Sequence, residues 1–305
     1  MKRSLRSVML GSVLSVLLTT GTAVAVPAYA SSDHDQKAAD AQTLQKFVQD
    51  LHNQWNINID PAAYEVRKDA TGTTVAPKGS TIKATRSNGR VEYSTVIQAP
   101  NTPAAAAQTA NGPVTIQSEP KWYEETCFDD ENDVAWMHTC FQFGEMEYLN
   151  PTRHNMVHRM WARCGAREGG PDFWQLDRCR VQARRSDLPS SPRITVGDFS
   201  PGSTISLPSC REVPLSISAG PVSAAMNIHA CERIIPSYGF GDVPWMQTQW
   251  EGGSYWASQV RETGQLWGIS TPLGTNPLLN MQWGYASSTC EPPPKLIDPC
   301  NMFGA

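Results

Sequence analysis

MVHRMWARCGAREGGPDFWQLDRCRV, residues 156–181, decides how this chain is read. Met156, His158, Met160, Ala162 and Cys164 alternate with Val157, Arg159, Trp161 and Arg163. That period of two marks a strand with unlike faces. Gly170-Pro171-Asp172 then forms a turn sequence, and Cys164 and Cys179 stand symmetrically about it. An antiparallel hairpin would set the two cysteines opposite each other, within reach of a disulfide. In that register Ala162 faces Val181 and Met160 faces Ala183.

The same symmetry recurs along the chain. Cys127 and Cys140 centre near Asp133, Cys210 and Cys231 on Gly220-Pro221, and Cys290 and Cys300 on Lys295, just after Pro292-Pro293-Pro294. The eight cysteines form an even set with no C-x-x-C spacing. They read as four sequential bridges, not as a zinc knuckle or a redox pair.

Bridges need an oxidising compartment, and the N-terminus carries the matching address. Lys2, Arg3 and Arg6 precede an uncharged run over residues 8–26, then Pro27 and Ala28-Tyr29-Ala30. Residues 1–30 therefore read as a cleaved signal peptide, and the protein as secreted. They hold no cysteine for a lipid anchor, and no second long apolar run follows, so no membrane span is expected after cleavage. Without the signal, 22 Lys and Arg face 29 Asp and Glu, a formal charge of −7. That balance argues against nucleic acid as a partner.

Composition divides the mature chain. Residues 31–98 lack cysteine and read as a small helix-plus-hairpin, pro-segment-like region. Leu44, Phe47, Val48, Leu51 and Trp55 share one helical face, and Asn88-Gly89 is a hairpin turn signal. Residues 99–119, rich in Pro, Ala, Thr and Gly, read as a linker. Residues 120–305 hold all eight cysteines and nine of the ten tryptophans. Their short strands and regular turns point to an all-β, antiparallel sandwich or jelly-roll-like domain.

Candidate chemistry centres on residues 153–193, with nine arginines, no lysine and four acids. Arg159, Trp161, Arg163, Arg178 and Arg180 are expected on one outward face, where guanidinium groups and indole would hold anionic groups. The competing reading pairs these arginines with Glu145 and Glu147 on the preceding strand. His154 and His158, four apart in a strand, are too distant for one metal ion. Trp245, Trp250, Trp256, Trp267 and Trp283 suit either the core or a sugar-binding platform, with the core favoured.

No G-x-S-x-G, H-E-x-x-H or P-loop occurs, and neither metal nor cofactor is expected. The chain is thus expected to be a secreted, non-catalytic binding or structural module. Its expected partner is a cell-wall or other extracellular polymer, anionic or polysaccharide. The alternative is a jelly-roll polysaccharide hydrolase using Glu145 and Glu147, whose spacing suits a pair of catalytic carboxyls.

Mass spectrometry of the exported protein should show Ser31 at the N-terminus, no free thiol and a Cys290–Cys300 peptide. Labelling of two or more cysteines without reduction would overturn the framework.

Overall fold

Short β-branched and aromatic runs, broken by Gly, Pro, Asn and Asp, fold as strands. The computed structural model describes residues 33–70, 72–87, 90–100, 119–146, 152–167, 174–219, 222–254 and 259–289. Residues 1–30, the turn at Asn88-Gly89, residues 101–118 of the expected linker, and Cys290 and Cys300 lie outside them.

Helix α1 (Asp33–Trp55) comes first, followed by β1 (Tyr64–Asp69), β2 (Gly72–Pro77), β3 (Lys83–Ser87) and β4 (Arg90–Gln98). Next are β5 (Lys121–Trp122), β6 (Thr126–Glu131), β7 (Ala135–Glu145), β8 (Arg153–Ala166) and β9 (Trp174–Arg185). The third group is β10 (Thr195–Ser200), β11 (Ile205–Ser206), β12 (Arg211–Ala219) and β13 (Val222–Ala230). The last strands are β14 (Arg233–Gly239), β15 (Trp245–Ser254), β16 (Arg261–Pro272) and β17 (Leu278–Thr289).

The architecture is the expected one: antiparallel sheets, disulfides and a helix ahead of them. One sheet runs β1-β2-β6-β7-β8-β16-β10, with β5 against β7; the other runs β11-β14-β15-β9-β17-β4-β3. Among the described residues, strands β12 and β13 pair only with each other. Phe128, Trp283 and Tyr93 pack ring on ring between the sheets. Trp250, Trp267 and Trp283 are fully or nearly buried, as core fillers. Trp256 lies outside the described residues. Phe47 and Leu51, from the predicted apolar face of α1, are buried as well.

Three bridges form as paired in the sequence: Cys127–Cys140, Cys164–Cys179 and Cys210–Cys231. Cys127 and Cys140 are direct cross-strand neighbours on β6 and β7, with Cα atoms 4.1 Å apart. The Cys164–Cys179 hairpin, however, does not exist. Strand β8 belongs to one sheet and β9 to the other, so this bridge joins the two sheets. Ala162 accordingly faces Thr139 and Thr263, not Val181. A turn in sequence brings two strands near each other without making them ladder partners.

The expected boundary after residue 98 is also not a boundary in strand pairing. Strand β2 pairs with β6, and β4 lies between β17 and β3. A buried carboxylate reinforces the join. Asp130, on β6, accepts hydrogen bonds from the hydroxyls of Tyr93 on β4 and Tyr285 on β17. The Thr74 hydroxyl and the Arg86 guanidinium, each 3.1 Å away, complete the set. Burial pushes the Asp130 carboxyl up in pKa, while Tyr93, Arg86 and Tyr285 pull it down.

Replacing Asp130 by Ala leaves Arg86 and two buried hydroxyls without their acceptor. Unfolding in denaturant should show a loss of about 3–5 kcal/mol, the cost of breaking a buried pair from one side. A loss below about 1 kcal/mol would mean that the join does not rest on this carboxylate.

Candidate functional site

The two strands that belong to neither sheet have an alternating sequence, REVPLSISA in β12 and VSAAMNIHA in β13. The register pairs Val213 with Ile228, Leu215 with Met226 and Ile217 with Ala224 on one face. Pro214 with Asn227, Ser216 with Ala225 and Ser218 with Ser223 form the other. Leu215, Ile217, Ala224, Met226 and Ile228 are buried, whereas Pro214, Ser216, Ser218, Ala225 and Asn227 are exposed. No charged residue occurs between Glu212 and His229 along either strand.

The apolar face rests on the outer side of β16. Two glycines of β16 make the floor flat. A Cβ on Gly264 would stand 2.9 Å from the Ile228 Cγ2 and 3.1 Å from the Met226 Cε. One on Gly268 would stand 3.6 Å from the Ile217 Cδ1. A side chain at Gly264 would force the ends of Ile228 and Met226 to shift.

Two carboxylates hold the hairpin by its edges. Asp198 of β10 accepts the Ser218 backbone N–H at 2.8 Å, on the free edge of β12. Glu262 of β16 accepts the His229 backbone N–H, on the free edge of β13. N–H groups alternate in direction along a strand, so Pro214, on the same edge as Ser218, puts its missing donor outward. The base is fixed more firmly. The Cys210–Cys231 bridge closes it, and Glu232 accepts two hydrogen bonds from Arg261, at 3.0 and 2.7 Å, and one from Trp250.

Between the hairpin and the residues around the end of α1 lies a pocket of about 160 Å³. Trp55, Glu125, Arg159, Trp161, Met226 and Glu262 line it. Trp161 meets Trp55 edge to face, and Arg159 lies over the rings of Trp122 and Trp161. Arg159 also donates to Glu125 at 2.7 Å, while Arg163 stands 3.6 Å from Glu262. Burial raises the pKa of the Glu125 carboxyl and pushes that of Glu262 up to about 7.

The expected arginine face is therefore split. Arg159, Trp161 and Arg163 project from β8 beside the pocket, whereas Arg178 and Arg180 project from β9 in the other sheet. Their partners also differ from expectation. Arg178 meets Glu251 and Arg180 meets Glu92, while Arg159 and Arg163 use Glu125 and Glu262. Glu145 instead accepts from the Tyr123 hydroxyl and lies 4.0 Å from His154; Glu147 lies outside the described residues. His158 is buried and keeps its ring neutral, its pKa pushed down to about 3, and the Trp267 indole N–H donates to it.

No protein-family model and no curated protein matches this chain. Among solved structures, the Clostridium perfringens delta-toxin aligns over 76% of this chain and 92% of its own, at 9% identity and a TM-score of 0.25. A likeness that slight carries no argument about fold or function.

Glu262 makes hairpin docking depend on pH. Docked, its carboxyl titrates near 7; released into water, it returns to the ordinary carboxylate range. The docked state then binds the proton more tightly, so docking is firmest below that ordinary range and weakens as pH rises through about 7. Arg163 from β8 and Glu212 from β12 are the charged neighbours on this site, and His229 from β13 reaches it through its backbone N–H. Amide exchange in β12 and β13, corrected for intrinsic rate, should be slower at pH 5.5 than at pH 8, and Glu262→Gln should flatten the difference. Faster corrected exchange in acid would reverse the assignment.

Proposed function

We propose that this is an exported, non-catalytic protein whose hairpin β12–β13 leaves its bed and enters a lipid bilayer. The observation that carries this reading is an amphipathic ribbon in the ladder of neither sheet, with its apolar face hidden and its base fixed. A transmembrane β-strand needs about 9–11 residues that alternate apolar and polar. Each strand here has nine, and the stretch between Glu212 and His229 is uncharged.

Once released, Val213, Leu215, Ile217, Met226 and Ile228 would face lipid, and Ser216, Ser218, Ser223 and Asn227 would face water. A bilayer offers the backbone no partners, so ribbons from several copies must pair edge to edge and close. Pro214 omits one bond on that edge, three residues from the base at Arg211, at the depth of the headgroups. The Cys210–Cys231 bridge and Glu232 keep the base attached while the tip swings. Among the described residues no helix is long and apolar enough to cross a membrane, so the hairpin is the segment suited to insertion.

Contact with an extracellular polymer through Arg159, Trp161, Arg163, Arg178 and Arg180 has less support. Each guanidinium already meets a carboxylate of the fold, and two of them lie on the other sheet.

The test uses vesicles loaded with a self-quenching dye, and an environment-sensitive fluorophore placed in turn along residues 213–218 and 223–228. Expected are dye release and emission that alternates, apolar at odd positions of β12 and even positions of β13. Oxidised Ser218→Cys/Asp198→Cys, which ties the hairpin to β10, should abolish release, while either single variant should not. Uniformly aqueous emission, or release by the locked protein at the wild-type rate, would overturn the reading.

A further inference from the structure

Six large apolar side chains stand exposed among the described residues: Val96, Leu188, Tyr238, Phe240, Val243 and Leu273, at 38–55% of their full accessibility. Their distribution is uneven. Leu188 is in the β9–β10 connection, Phe240 and Val243 in the β14–β15 turn, and Leu273 in the β16–β17 turn. Strand pairing places these three loops at one end of the sandwich. Trp245 at the start of β15 pairs with Arg184 near the end of β9, and Leu279 of β17 pairs with Arg185. Thr195 of β10 pairs with Ser270 near the end of β16.

The hairpin points to the same end. His229, near its base, bonds Glu262 at the start of β16, while Ile217 lies over Gly268 further along that strand. The tip beyond Ser218 therefore runs toward the loops that carry Leu188, Phe240 and Leu273. Beside the tip, Phe199, which follows the carboxylate that holds Ser218, packs its ring 4.5 Å from Tyr238 and 4.8 Å from Phe240.

We infer that this end of the sandwich is the surface by which the protein first settles on a lipid bilayer, a step that deepens the insertion reading and rests on it. Apolar side chains on separate loop tips, set among Pro, Gly, Ser and Asp, do not form one flat patch for a protein partner. They suit an interface that yields around each of them. Leu and Phe give up contact with water there, and the ring and hydroxyl of Tyr238 match the boundary between acyl chains and headgroups. Charge at this end is mixed: Arg184 pairs with Asp187, Arg193 and Asp242 are exposed, and no single sign dominates. The surface thus fits an uncharged lipid mixture, and salt should matter little.

Flotation of the mature protein with phosphatidylcholine vesicles tests this. Wild type should float, equally in 0.1 and 1 M NaCl. The triple variant Leu188→Ser/Phe240→Ser/Leu273→Ser should partition at least tenfold less while keeping a cooperative melt, for only Phe240 gives up ring contacts, to Phe199 and Tyr238. The locked Ser218→Cys/Asp198→Cys protein should float as wild type does, yet release no dye. A triple variant that floats as well as wild type, or a wild type that does not float, overturns the inference. Should the wild type float and never release dye, insertion fails while this surface stands. A triple variant that floats and releases dye normally leaves insertion standing and removes the surface.

Discussion

An antiparallel sheet ordinarily keeps one face wet, so that polar side chains on alternate residues meet water. Strand β16 is denied that outlet: residues 261–269 are buried without a break. Its inner face meets the opposite sheet and its outer face is roofed by β12 and β13. Arg261, Glu262, Thr263 and Gln265 must therefore find partners inside the protein or go without. Arg261 finds Glu232, and Glu262 finds Arg163 and a hairpin N–H. Gln265 finds no protein partner among the described residues. Of these only Glu262 lies on the outer face, beside Gly264, Leu266 and Gly268, and such a bed suits a roof that can come off. Gly264 and Gly268 give smooth contact, and the edge bonds go to carboxylates that water can satisfy equally well.

Much of this was legible in the sequence, for reasons specific to each element. The helical face of Leu44, Phe47, Val48, Leu51 and Trp55 follows from spacing alone, because a helix needs no distant partner to define its buried side. Cys127 with Cys140 and Cys210 with Cys231 follow from turn symmetry, because in both cases the intervening chain is a true hairpin. Cys164 with Cys179 was paired correctly for a reason that does not hold. The chain crosses from sheet to sheet there, and local sequence cannot distinguish a hairpin from a corner.

The arginine block shows the opposite failure. Its composition was plain, but ion-pair partners are set by which strands become neighbours. Glu92, Glu125, Glu251 and Glu262 are brought to Arg180, Arg159, Arg178 and Arg163 only by the full topology. The hairpin itself is visible as a turn at Gly220-Pro221, yet its alternation is faint in the sequence. Its polar face is built from serine, alanine, asparagine and proline, which contrast weakly with leucine and isoleucine. A charged face would have stood out, and would have been unsuited to the hairpin's place. That β16 beds its apolar side is a matter of packing between residues 36 to 51 positions apart, beyond any local period.

The place of β4 in its sheet bears on how such a chain can be made. Among the described strands, β3 and β4 have no ladder partner outside their own hairpin except β17, the last strand of all. While the polypeptide emerges from its amino end, that hairpin has nothing to join until nearly the whole length has followed. Contacts this remote in sequence make for slow folding. A chain wired this way seats its early β3–β4 hairpin only when its last described strand arrives, so its two ends are tied together at the close of folding.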